Sequence, residues 1–160
     1  MSVIQTCWLV FDAEKKGSEN QCRGLAEALG LQNYILKPIP KTGFLRLLPR
    51  RFWFPFLSFN KGILRDVSKE NLPDLVISSG TRASVVAAFL KKQSSHVRVV
   101  NLLNPRFPHD LFDLIITPEH DGLKGTNVLS SLGSLHGVTA GKLSQEAEKF
   151  RGQYQGLRHP

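Results

Sequence analysis

The chain has 160 residues, of which 41% are hydrophobic and 21% are charged, which predicts one globular domain and excludes an intrinsically disordered chain. Its two cysteines, Cys7 and Cys22, have neither the spacing of a zinc site nor the number typical of a disulfide framework. Neither a signal peptide nor a transmembrane helix is predicted, because no basic leader precedes the first apolar run and no apolar stretch is long enough. The chain is expected to be cytoplasmic, and it carries a net charge of +8.

Strands and helices are predicted to alternate from the N-terminus. Residues 3–11 form an apolar run typical of a buried strand, and apolar side chains at helical spacing follow it until Gly30, which is predicted to end the helix. Ser18 and Gln21 have the spacing of a capping box, which places the start of this helix at Ser18 and leaves a loop before it. A second strand is predicted at 33–39.

The same alternation resumes in the second half of the chain. Apolar runs predict four further strands, at 74–78, 97–103, 113–117 and 127–131. A helix is predicted after the first of them, with a buried face that runs from Ala83 to Leu90. The pattern is typical of an α/β fold, a Rossmann-like, doubly wound and mainly parallel sheet of five or six strands with helices on both faces. We assign residues 1–150 to this domain and residues 151–160 to a linker toward a missing second domain.

Residues 37–69 are rich in basic and aromatic side chains. They carry eight Lys and Arg residues against one acidic residue, Asp66, with Phe, Trp and Leu side chains between them. This mixture is typical of a surface that contacts an anionic membrane, whereas no motif for binding nucleic acid is present. The residues expected to contact the membrane are Arg50, Arg51, Phe52, Trp53 and Phe54. Alternatively, the aromatic side chains pack under the sheet while the basic groups stay solvated.

Three polar segments, at 17–21, 78–82 and 104–106, each follow an apolar run that is predicted to be a strand. The carboxyl ends of parallel strands lie at one edge of a sheet, so these segments are expected to converge on one ligand crevice. Free backbone N–H groups at helix N-termini attract phosphate, and arginine side chains neutralise it. The residues predicted to bind a ligand or a phosphate are Gly17, Ser18, Glu19, Asn20, Gln21, Ser79, Gly80, Thr81, Arg82, Asn104 and Arg106.

Simpler interpretations of these segments stay open. The first segment can be an ordinary capped helix start, and the second can be a structural turn. A hydrolase is not favoured, because Ser79 lies outside a G-x-S-x-G motif. Glu119 and His120, which follow the strand predicted at 113–117, are candidate catalytic bases. No cofactor is predicted, and no metal site either, because the neighbouring side chains at 119–121 point in different directions.

Several of these motifs occur together in one known family. They are Asp12 with GSENQ at 17–21 and GLAEALG at 24–30, PDLVI at 73–77, NPR at 104–106 and FDLIITPEHD at 112–121. In this combination the chain resembles the bacterial elongated-mitochondria family, or mitochondrial fission protein-like family, over residues 7–138. The resemblance implies a two-domain protein similar to the B-type glycosyltransferases, with two Rossmann-like halves around a cleft.

The resemblance further implies that this chain is the N-terminal, acceptor-side half of a nucleotide-sugar-dependent glycosyltransferase-like protein. Arg82 and Arg106 are then expected to neutralise phosphates, and Glu119 or His120 to accept a proton from an acceptor hydroxyl. With a second domain the protein is expected to act on a membrane-associated or cell-envelope acceptor, in peripheral contact with the inner membrane, and the isolated half is expected to be inactive. The rival hypothesis is a non-catalytic module that binds a membrane or a protein through residues 37–69. Nucleic acid is not an expected partner.

Overall fold

The computed structural model describes residues 4–40 and 72–151. In these two segments the chain forms six strands and three α-helices. The strands are β1 (Cys7–Asp12), β2 (Ile35–Ile39), β3 (Leu75–Ser79), β4 (Arg98–Leu102), β5 (Leu114–Pro118) and β6 (Val128–Ser131). The helices are α1 (Lys16–Ala28), α2 (Thr81–Gln93) and α3 (Ala140–Arg151). Short 3₁₀ helices occur at His109–Leu111 and Glu119–Asp121.

The six strands form one parallel sheet with the order β2-β1-β3-β4-β5-β6. The prediction of a Rossmann-like, mainly parallel α/β sheet is therefore confirmed.

The residues expected to contact a membrane, at 50–54, lie outside the described part of the chain, as do residues 152–160 of the expected linker. Within 4–40 and 72–151, no helix is long and apolar enough to cross a membrane.

Strand β1 is buried along its whole length, because it has a strand on each side and a helix on each face. Its side chains alternate between the two faces of the sheet. Trp8 and Val10 belong to one core cluster, and Cys7, Leu9 and Phe11 belong to the other. A strand covered on both faces needs a continuous apolar run, which is the signal that identifies β1 in the sequence.

Helices α1 and α2 cover opposite faces of the sheet, as predicted. The inward face of α2, from Ala83 to Leu90, packs into the cluster around Trp8. Helix α1 contributes Cys22 and Ala26 to the other cluster. Burial raises the pKa of the Cys22 thiol to about 12, so this side chain stays protonated and serves as a packing group.

Helix α1 begins earlier than the capping-box spacing predicts. Its first residue is Lys16, the preceding Lys15 makes no side-chain cap, and Ser18 lies inside the first turn. The N–H of Lys15 donates to the carbonyl oxygen of Asp12 at 2.9 Å, so a turn that directly follows β1 leads into the helix. The prediction that the helix starts at Ser18 after a loop is therefore wrong, because residues 17–21 all belong to α1.

The predicted capping box is also absent from α1. Its second member, Gln21, accepts a hydrogen bond from Ser79 Oγ at 2.9 Å. Ser79 is the last residue of β3 and is fully buried. The Gln21 side chain therefore connects α1 to the sheet instead of capping the helix.

Two aspartates connect neighbouring elements at the amino edge of the sheet. Asp74 accepts hydrogen bonds at 2.9 Å from the two backbone N–H groups that precede β1, and these bonds hold its pKa below the ordinary value. Burial raises the pKa of Asp113, but hydrogen bonds from Lys91, the Val99 N–H and Arg98 outweigh burial and leave the pKa lowered. Both carboxylates are therefore ionised at neutral pH.

Candidate functional site

A crevice of about 610 Å³ opens at the carboxyl edge of the sheet. Strand β1 lies between β2 and β3, so the order of the strands reverses here, and ligands of open α/β sheets bind at such reversal points. The crevice is lined by Lys15, Ser18, Gly80, Thr81, Leu102, Leu103, Asn104, Arg106, His120 and Asp121. These residues lie at or after the ends of β1, β3, β4 and β5.

The crevice brings together members of all three polar segments that the sequence singles out. Ser18 comes from the first turn of α1, and Gly80 and Thr81 come from the turn between β3 and α2. Asn104 and Arg106 come from the loop after β4. The expected convergence of separate strand-end segments at one edge is thus present in the structure.

Other members of the first segment lie elsewhere on α1. Gly17 and Asn20 are exposed on the helix surface. The Glu19 carboxylate accepts hydrogen bonds from Lys16 and Arg23, both at 2.8 Å, and these bonds lower its pKa. The lining of the crevice therefore includes one member of this segment, the serine in the first turn.

Arg82 is held by two carboxylates of the protein itself. Its guanidinium group donates a hydrogen bond to Glu14 and lies 3.8 Å from Asp12 Oδ2. The Arg82 side chain is 16% exposed, and its Nε atom is buried without a hydrogen-bond partner among the described residues. The charge that the sequence predicts for neutralising a phosphate is therefore already balanced inside the domain.

Asp12 occupies the N-terminus of α2, where the sequence predicts an external anion. This aspartate is only 2% exposed, and its Oδ1 accepts hydrogen bonds from the backbone N–H groups of Arg82 at 3.1 Å and Ala83 at 3.0 Å. Lys15 Nζ lies 3.9 Å from its Oδ2. A Cβ atom on Gly80 would lie 2.5 Å from Asp12 Cγ, so glycine leaves the space for this carboxylate.

The loop after β4 presents its polar groups through an unusual backbone. Leu103 has φ +68° and Arg106 has φ +49°, and they are the only described residues other than glycine with positive φ. Asn104 Oδ1 accepts a hydrogen bond from the Arg106 N–H at 2.8 Å, which closes a tight turn. Both outliers therefore lie in one short loop that lines the crevice.

Of the two candidate bases, His120 lines the crevice and Glu119 is exposed outside the lining. His120 Nε2 lies 3.8 Å from Asp121 Oδ1, and Thr117 Oγ1 donates to Asp121 Oδ2 at 2.7 Å. Asp121 also lines the crevice, although only Glu119 and His120 were selected from the sequence as candidate bases. Its position next to the two candidates, after the same strand, is the signal that points to it.

Positive charge predominates around the crevice. Two cations, Lys15 and Arg106, line it together with one carboxylate, Asp121. Lys15 is a residue that the sequence prediction missed, although it directly precedes the helix that carries the first polar segment. Within the part of the chain that the structure describes, no three His, Cys, Asp or Glu side chains cluster as metal ligands. The arrangement suits an anionic group bound by cations, hydroxyls and amides.

Comparisons with known proteins point to one family. The family model described as Mitochondrial fission ELM1 matches residues 16–160. An uncharacterized protein of Rickettsia prowazekii (strain Madrid E) is 30% identical over 116 residues, which are 71% of this chain and 32% of that relative, so the chain spans about a third of the relative's length. No solved structure matches the chain. The chain therefore belongs to the mitochondrial fission ELM1 family.

Proposed function

We propose that the chain is the acceptor-side half of a glycosyltransferase-like protein and that its crevice binds a phosphate-bearing ligand. The observation that carries this proposal is the meeting of four strand ends around Lys15 and Arg106. Cations and hydroxyls at the reversal point of a parallel sheet are well suited to hold a phosphate. Membership of the family supports the comparison with B-type glycosyltransferases, in which a second domain supplies most contacts to the nucleotide-sugar.

In such a reaction the acceptor hydroxyl attacks the anomeric carbon of the sugar, and the bond from that carbon to the nucleotide diphosphate breaks. We assign the base to His120 because it lines the crevice, whereas Glu119 lies outside the lining. The imidazole takes the hydroxyl proton, and the cations balance the phosphate charge. Sugar transfer by a two-domain member of the family should therefore be lost on His120→Ala, and transfer that survives this change would contradict the assignment.

Arg106→Ala and Lys15→Ala should each weaken sulfate binding by about tenfold, since each removes a charge-assisted contact worth about 1.4 kcal/mol. Sulfate stands in for phosphate and keeps its charge across the pH range. Isothermal titration of the folded chain gives the affinity. Lys92→Ala is the matched control, because it removes the same charge in the last turn of α2, at the other end of that helix from Gly80. Equal losses in all three variants would mean that net charge alone attracts the anion, and the crevice would not be its site.

We further propose that residues 37–69, which carry eight basic residues against Asp66, contact an anionic membrane surface. Arg50→Glu with Arg51→Glu should reduce co-sedimentation with vesicles that contain phosphatidylserine, because each basic residue near an anionic surface contributes about 1 kcal/mol. Raised salt should reduce the binding of the native chain in the same way. Lys142→Glu with Lys149→Glu changes the charge equally on α3 and serves as the control. Binding that is equal for both double variants would contradict a membrane role of this segment.

A further inference from the structure

Asn101 is a buried amide in the strand that leads into the crevice. It lies in β4 and is fully buried. Its Oδ1 accepts a hydrogen bond from Ser78 Oγ at 2.8 Å, and Ser84 Oγ lies 2.7 Å from the same oxygen. Its Nδ2 donates to the carbonyl oxygens of the next two residues in the chain, at 3.3 Å and 2.9 Å. The amide therefore has its oxygen toward β3 and α2 and its N–H groups toward the crevice loop.

The second of those two carbonyls belongs to Leu103, which has φ +68°. A branched, non-glycine side chain in the left-handed region is strained by about 1–2 kcal/mol, and such a conformation persists only when its surroundings hold it. Leu103 is held from both sides, because its N–H donates to the Ile116 carbonyl at 2.8 Å and its C=O accepts from Asn101. The loop that follows carries Asn104 and Arg106 into the crevice lining.

We propose that Asn101 is a positioning residue, whose N–H groups fix the left-handed turn at Leu103 and thereby aim Arg106 at a doubly charged oxyanion in the crevice. This inference rests on the proposed function, because it assumes that the crevice binds such an anion. It adds a specific link between a buried amide and the affinity of the site. A side chain that accepts but cannot donate at the Nδ2 position should leave the loop without its anchor.

The competing interpretation is that the network around Asn101 only stabilises the sheet. Substitutions on the oxygen side and on the nitrogen side of the amide distinguish these interpretations. Ser78→Ala removes one of the two hydroxyls that contact the amide oxygen and leaves both N–H bonds to the loop intact, so it should lower stability without changing sulfate affinity. A change at Asn101 itself should alter the affinity.

Asn101→Asp gives the test a pH-dependent readout. A protonated carboxyl can still donate to the Leu103 carbonyl, whereas a carboxylate would face the two carbonyl oxygens and repel them. Burial raises the pKa of such a carboxyl, so the protonated form should persist at about pH 5 and be lost by about pH 8. The hydroxyls and carbonyls that contact position 101 do not titrate in this range, and His120 and Asp121 of the crevice are present in both the native chain and the variant, so they drop out of the comparison.

We expect the sulfate affinity of Asn101→Asp to lie within about twofold of the native value at about pH 5 and to be about tenfold weaker at about pH 8. Titration calorimetry gives the ratio of the two dissociation constants at each pH, and circular dichroism checks that the variant is folded. A ratio that does not change with pH, with the variant folded and native sulfate binding intact, would overturn the positioning role and leave the proposed function standing. A native chain that binds no sulfate would overturn both.

A second pair of variants covers the case in which Asn101→Asp does not fold. Asn101→Ala should weaken sulfate binding by about tenfold, and adding Leu103→Gly should restore most of the affinity, because glycine adopts positive φ without an anchor. The restoration depends on the backbone conformation at residue 103, which a purely stabilising role of Asn101 would not involve. An Asn101→Ala chain that binds sulfate as the native chain does, or one that Leu103→Gly fails to rescue, would contradict the inference.

Discussion

Replacing Gly80 with alanine should lower the free energy of unfolding by about 3 kcal/mol or more. Gly80 has φ +109° and ψ 159°, a backbone conformation that is essentially restricted to glycine. The added Cβ would also lie 2.5 Å from Asp12 Cγ and 2.8 Å from Asp12 Oδ1. Strain and overlap therefore act together, and the carboxylate that caps α2 would have to move. Urea denaturation of the native chain and the variant measures the difference.

Gly30→Ala is the matched control for this prediction. Gly30 also has positive φ, +71°, but nothing lies within 4 Å of a Cβ atom built on it. The control should therefore cost about 1–2 kcal/mol, which is the strain of the left-handed conformation alone. If the two variants were equally destabilised, the overlap between a side chain at residue 80 and the Asp12 carboxylate would contribute nothing to the loss of unfolding free energy.

The sequence predicted the sheet well because buried parallel strands leave a strong local signal. Each strand after β1 begins within two residues of the position predicted from its apolar run. The convergence of the polar segments followed from the fold class, since parallel strands put their carboxyl ends at one edge. This reasoning brought Ser18, Gly80, Thr81, Asn104 and Arg106 to one crevice correctly.

The role of Asp12 could not be predicted in the same way. The hydrogen bond from the Arg82 N–H to Asp12 joins residues that are 70 positions apart, and no local pattern encodes it. The capping-box spacing of Ser18 and Gln21 was a local pattern, and it failed because Ser79 in β3 engages the glutamine instead. Tertiary contacts decided both outcomes. The assignment of Arg82 to a phosphate has the same weakness, because the two carboxylates near it, Asp12 and Glu14, come from the end of β1 and the turn after it.

Replacing Asp12 with alanine should destabilise the domain by about 3–5 kcal/mol, the range for removing one partner of a buried ion pair. The change leaves two backbone N–H groups at the start of α2 without their acceptor, and it removes one of the two carboxylates near Arg82. Asp12→Asn should cost less, about 1–2 kcal/mol, because the amide oxygen can still accept both N–H bonds while the charge is lost. Urea denaturation of both variants shows which of them lowers the free energy of unfolding more.

The Asp12→Ala variant can also reveal whether the Asp12 carboxylate acts as an internal anion. Asp12→Ala empties the space at the N-terminus of α2, where the carboxylate of Asp12 accepts the N–H bonds of Arg82 and Ala83. Formate has the charge and size of the missing group, so it should bind there and restore about 1 kcal/mol of stability at several times its dissociation constant. Sodium chloride at equal ionic strength should restore nothing, and the native chain should not respond to formate. A variant that formate leaves unchanged would mean that Asp12 stabilises the fold through packing, and that the N-terminus of α2 has no intrinsic affinity for an anion.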